Sequence, residues 1–110
     1  MSIKIVEVIN SRNAMFHPDG LKLYTAIINE LNNGAKKVQV DFSDIMVLTT
    51  QFLNASFGKL MMEKGMVYFY DKVDVISTDH LKTYNEKFNW VVDNIKNKDS
   101  YKPFLNMALS

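Results

Sequence analysis

A change of hydrophobic period within residues 38–64 constrains this chain more than any other feature. Val38, Val40 and Phe42 alternate with polar neighbours, the two-residue period of a strand. After a polar stretch, Phe52, Leu53, Phe57, Leu60 and Met61 recur at helical spacing, and Gly65 closes the run. The pattern predicts a strand over 37–42, a short elbow, and a helix over 50–64. Thr49 or Thr50 stands where an N-cap belongs, worth about 1 kcal/mol.

The flanking sequence repeats the alternation of strand and helix. IKIVEV at 3–8 reads as a strand from its β-branched content, and NSRN then turns the chain. AMFHP adds a second short strand. Pro18 and Asp19 start a helix carrying Leu21, Tyr24, Ile27, Ile28 and Leu31 on one face, ended by Asn32, Asn33 and Gly34. MVYFY reads as an extra strand or an irregular apolar lid, and Lys72–Ile76 as a strand. A third helix is expected to open around Ser77 to Asp79 and to run to about Lys96, with Leu81, Tyr84, Phe88, Val91, Val92 and Ile95 inward. The tail YKPFLNMALS shows no decisive period.

Strands alternating with helices of this length need crossover connections, and so a mixed, partly parallel sheet in an α/β fold. In such sheets ligands and partners collect beyond the C-terminal ends of strands. The elbow after Phe42 occupies such an end.

Composition narrows the function classes. At 110 residues the chain suits one domain, 1–110, able to bury roughly 60–70% of its unfolded surface. Its 13 basic and 12 acidic residues leave a net charge of +1, so no overall field draws it to nucleic acid or anionic lipid. Having no cysteine, it has no disulfide, thiolate chemistry or cysteine-ligated metal, which fits a cytoplasmic location. MSIKIVEVIN lacks the apolar run of a signal peptide, and no segment approaches the roughly 18 apolar residues of a membrane span.

The candidate functional residues cluster at the elbow. Asp41 falls late in a central strand, where a carboxylate must be hydrogen-bonded or exposed. It either receives elbow N–H groups, faces a partner, or acts as an acid or base; Asp44 reads as an exposed turn residue. Thr49 and Thr50 suit capping, and the same position would offer free N–H groups to a phosphate. Ser43, Ser56, His17 and His80 make a nucleophile–base inventory without a G-x-S-x-G elbow, and the two histidines form no metal pattern. No cofactor or metal is expected. Arg12, the sole arginine, would pair with Asp19, Asp41 or a partner. Trp90 is rotated away from the inward face of the last helix, which makes it an interface anchor unless the tail covers it.

VDFSDIMVLTTQFLNASFGKL resembles the core motif of the STAS superfamily, the sulphate transporter and anti-sigma factor antagonist domains. It resembles more closely a bacterial STAS-like branch of largely undefined function. In that branch an arginine near the second strand precedes a glycine that starts the first helix. A VDF strand, an elbow and a helix reading S-F-x-[DE]-x-x-x-G-K-L follow. This chain supplies SRNAMFHPDG, Val40-Asp41-Phe42, Gln51-Phe52, Asn54 and Gly58-Lys59-Leu60, and the resemblance covers about residues 3–96. It implies a four- to five-stranded sheet with helices mainly on one face and a non-enzymatic role. Anti-sigma antagonists of the superfamily dock onto a kinase-like ATPase that phosphorylates a serine at the start of the second helix. Gln51 stands at the matching position and cannot accept a phosphoryl group. Either Thr50 or Thr49 takes over, or the domain binds without a phospho-switch, and the second reading is favoured.

The leading expectation is a protein-interaction or regulatory module whose partner is another protein, of histidine-kinase-like ATPase type by the resemblance. It would dock through residues 43–57 using Asp41, Ser43, Thr49, Thr50, Gln51 and Asn54, with Arg12 and Trp90 as outlying contacts. The alternatives are a nucleic-acid-associated module, using Lys36-Lys37, Lys96 to Lys98 and the aromatics of MVYFYDK, and an unrecognised small enzyme. Balanced charge weighs against the first.

Overall fold

Pairing, not propensity, decides where the first strand stops. In the computed structural model, which describes the backbone of residues 2–109 and the side chains of 2–97, strand β1 covers only Ser2–Lys4. Residues Ile5–Ile9 form helix α1, where a strand to residue 8 was expected. β1 lies parallel to β3 (Val38–Asp41), with Lys4 opposite Asp41 at the end of that strand. Beyond Lys4 there is no ladder left to join. A helix turns Ile5 and Ile9, four residues apart, into the core together, and Asn10 closes it in the left-handed conformation, φ 53°.

The remaining elements follow in order. Strand β2 (Asn13–Ala14) leads to helix α2 (His17–Asn32), with Pro18 in its first turn. After β3, strand β4 (Val47–Leu48) forms part of the elbow. Helix α3, residues 50–64, is α-helical over Thr50–Leu53 and Lys59–Lys64 with a π-helical turn over Asn54–Gly58 between them. Helix α4 (Met66–Lys72), strand β5 (Val73–Ile76) and helix α5 (Tyr84–Leu109) complete the described chain.

β1, β3 and β5 form one parallel sheet in the order β1-β3-β5, while β2 and β4 make a separate parallel pair. This is the α/β class expected, its five strands divided three and two, with the helices packed to one side. Every pairing among the described residues is parallel, as crossover connections through α2 and α3–α4 allow.

Two further expectations are corrected. MVYFY is neither strand nor lid, because Met66 and Phe69, three residues apart, turn inward together in helix α4. The last helix opens at Tyr84, not at Ser77 to Asp79. Ser77 sits at φ 63°, and the chain turns through Leu81 N–H donating to the Thr78 carbonyl at 2.9 Å. α5 continues past Lys96; the apolar tail pattern falls among residues whose side chains are not described.

Helix α3 is the central element. Ala55, Ser56, Phe57 and Gly58 are buried in succession, which a helix achieves only when enclosed on several sides. Phe57 points into an aromatic cluster, 6.2 Å from Phe42 and 5.1 Å from Phe69 by ring centroids. On the α2 side, Gly20 abuts Ala55 so closely that a Cβ there would stand 2.6 Å from the Ala55 Cβ and 2.7 Å from the Phe52 carbonyl. On the α5 side, a Cβ at Gly58 would stand 3.3 Å from Val91. The Ser56 hydroxyl donates to the Phe52 carbonyl at 2.9 Å, so its burial leaves no polar atom unpartnered.

Candidate functional site

The C-terminal edge of the three-stranded sheet gathers a polar cluster around Asp41. Register places Lys4, Asp41 and Ile76 side by side at the strand ends. The Ser43 backbone N–H and hydroxyl both donate to one Asp41 carboxylate oxygen, at 2.8 and 2.5 Å. The Ser43 hydroxyl does most to hold the Asp41 carboxyl below the usual carboxylate range, helped by the Ser43 N–H, the Ser77 hydroxyl and the Lys4 charge, against the opposing effect of partial burial. Lys4 also pairs with Asp44 at 3.2 Å. Asp44, at φ 66°, takes the left-handed turn conformation that aspartate tolerates. Asp41 therefore ties the start of the elbow to the end of β3.

The elbow then runs along β2. Met46 and Thr49 N–H groups donate to the carbonyls of Arg12, at 2.8 Å, and Ala14, at 3.1 Å. The Thr49 hydroxyl donates to the Met15 carbonyl at 2.7 Å and accepts from the Phe52 N–H at 3.2 Å. Thr49 is thus the cap of α3, and both functions of its hydroxyl are in use. Thr50 occupies the first helical position, half-buried, while Gln51 is exposed beside it.

Around this scaffold lie side chains that face solvent although they are apolar. Met46 is 68% exposed and Phe16 59%, and Val47 is also exposed. Phe16 immediately follows Met15 of the Thr49 contact, and Val47 is paired with Asn13, so β2 and β4 hold all three near the elbow. The sequence reading did not single these out. Read only as part of the elbow, IMVL gives no inside or outside, and the pairing of β4 with β2 shows that Ile45 and Leu48 turn in while Met46 and Val47 turn out.

The loop between β5 and α5 closes the other side. His80 Nε2 lies 2.7 Å from the Ile45 carbonyl, and the Lys87 ammonium donates to the Leu48 carbonyl. A groove of about 220 Å³ runs between these residues and β4. Lys87 was absent from the expected site, since one lysine among twelve carries no sequence signal, and His80 entered only the nucleophile–base inventory.

A second groove, of about 410 Å³, lies between α2 and α3 and is lined by His17, Leu21, Asn54, Lys59, Met62 and Glu63. At its edge Glu63 accepts the Tyr24 hydroxyl and pairs with Lys59 at 2.8 Å, while the Lys59 ammonium lies 5.0 Å from the Tyr24 ring centroid. The bond to Glu63 is the main reason the Tyr24 phenol is pushed up to about 12. Asn54 belongs to this groove and not to the Asp41 cluster.

The outlying candidates separate from the elbow side chains. Arg12 contributes its carbonyl; its side chain is exposed and, among the described residues, pairs with neither Asp19 nor Asp41. Trp90 is 53% exposed on α5. His17 and Ser56 have no nucleophile–base contact, and among the described residues no group of three or more His, Asp or Glu is placed to hold a metal.

The polar strand end, the capped elbow and the buried central helix are the region in which relatives would be expected to coincide. A family model described as a STAS-like domain of unknown function (DUF4325) matches residues 19–81, more than half of the chain. The chain belongs to this STAS-like family. The match runs from the first turn of α2 to the loop after β5, taking in the Asp41 cluster and the elbow; Arg12 and Trp90 fall outside it. No curated protein and no solved structure matches the chain. No helix among the described residues is long and apolar enough to cross a membrane.

Proposed function

We propose that this STAS-like domain is a protein-interaction module that docks a partner through the elbow, residues 43–57. The observation that carries the reading is the apolar rim of Phe16, Met46 and Val47, exposed on a backbone held in place by Asp41, Thr49 and the β2–β4 pairing. Apolar side chains on a pre-ordered surface lose little entropy on association. Ser43 and Gln51 supply polar contacts at the rim, and Trp90 provides a further anchor on α5. The resemblance to anti-sigma antagonists suggests a histidine-kinase-like ATPase as partner and the cytoplasm as location.

The same geometry favours docking without a phospho-switch. The Thr49 hydroxyl already donates to one group and accepts from another, so phosphorylation there would break the cap. Thr50 is the remaining acceptor.

The test places a photo-crosslinking amino acid at Met46 or Gln51 and, as control, at Glu30 on the far end of α2, in the cells that express the protein. The reading predicts one protein crosslinked from both elbow positions and absent from the control. Crosslinks that are equal at all three positions, or missing from the elbow, would overturn it.

A further inference from the structure

The groove between β4 and the loop before α5 differs in charge from the rest of the molecule. Its lining includes the exposed apolar Met46 and Val47 and three basic side chains, His80, Lys82 and Lys87, with no carboxylate. In a chain of net charge +1 this is a local imbalance. Asp79 and Glu86, the nearest acids in sequence, are exposed and do not line the groove.

Its basic groups are also ready to bind. Lys87 uses one of its three ammonium donors on the Leu48 carbonyl and keeps two. The Ile45 carbonyl can only accept, so His80 Nε2 carries the proton, and Nδ1 remains as an acceptor for a backbone N–H or hydroxyl of the ligand. Lys82 makes no hydrogen bond or ion pair with the described residues. Lys87 and the His80 ring are fixed against the backbone of β4, next to the exposed Met46 and Val47.

We propose that this groove takes an acidic segment of the partner protein, resting an apolar side chain on Met46 and Val47 and presenting carboxylates to Lys82 and Lys87. The proposal rests on the docking reading above and extends it, since residues 80–87 lie outside the elbow itself. Two lysines are too few for the phosphate footprint of a nucleic acid, but they match one or two carboxylates of a peptide.

The experiment uses the full chain labelled with nitrogen-15 and three fluorescent octapeptides: alternating glutamate–leucine, glutamate–serine and lysine–leucine. Binding is read by anisotropy and the contact surface by amide chemical shifts. The glutamate–leucine peptide should bind, and its shifts should fall on residues 45–48 and 80–87. Replacing leucine by serine, or glutamate by lysine, should weaken it by about tenfold or more. Lys82→Glu, which removes no internal contact, should weaken binding about threefold to tenfold with an unchanged thermal transition, and Lys82→Arg should retain it.

Equal binding of the lysine–leucine peptide, shifts confined to another face, or indifference to Lys82→Glu would overturn the proposal. So would a single-stranded oligonucleotide that binds the same residues more tightly than the acidic peptide. Elbow crosslinks to a partner would persist in any of these cases if the docking reading alone is right.

Discussion

Asp41 and Thr49 do similar work from opposite ends of the elbow: each accepts backbone N–H groups that the turn would otherwise leave free. Thr49→Ala removes the α3 cap and the bond to Met15, and should cost about 1–2 kcal/mol in urea denaturation, with Thr49→Ser recovering most of it. Asp41 is held below the usual carboxylate range. Its stabilising contribution is therefore fully present above the pKa of an unfolded aspartate, near 4, and is lost as pH falls through the lower folded value. Asp41→Asn should flatten that acid limb of stability against pH, measured by denaturation between about pH 2 and pH 6. These roles were legible as alternatives in the sequence. Choosing among them needed the Ser43 and Met15 contacts, which no single residue type announces.

At the scale of elements, helix α3 was the most legible part of the chain, because its apolar period is long and Gly65 ends it. Its π-helical turn was not legible, since the burial of four successive residues reflects neighbours on several sides, not local propensity. Strand β1 and helix α4 were misread for a related reason. IKIVEV carries strand propensity, but β3 ends opposite Lys4, and MVYFY gives no hint of which aromatics turn in. Close packing of α2 on α3 yields a specific expectation. Gly20→Ala should destabilise by about 1–3 kcal/mol, because its Cβ would meet the Phe52 carbonyl and Ala55 rather than a flexible side-chain end. Phe57→Ala should cost about 3–5 kcal/mol, whereas Trp90→Ala, at a half-exposed site, should stay within about 1 kcal/mol. Guanidinium denaturation of the three variants checks the order.

Taken whole, the molecule places its ordered polar cluster, its exposed apolar rim and its basic groove around one end of the parallel sheet. The α/β class and the strand-end location followed from the alternation of periods. The rim and groove did not, because they join residues 12–16, 45–51 and 80–87, which only the folded chain brings together. The claim that this end is a docking surface is tested most directly by amide hydrogen exchange on the complex with the protein captured by elbow crosslinking. The account predicts added protection on residues 43–51 and 80–87, with none on the face of α1 and α2 around Val8, Ala26 and Asn29. Protection centred on that α1–α2 face, with the elbow exchanging as in the free protein, would contradict it.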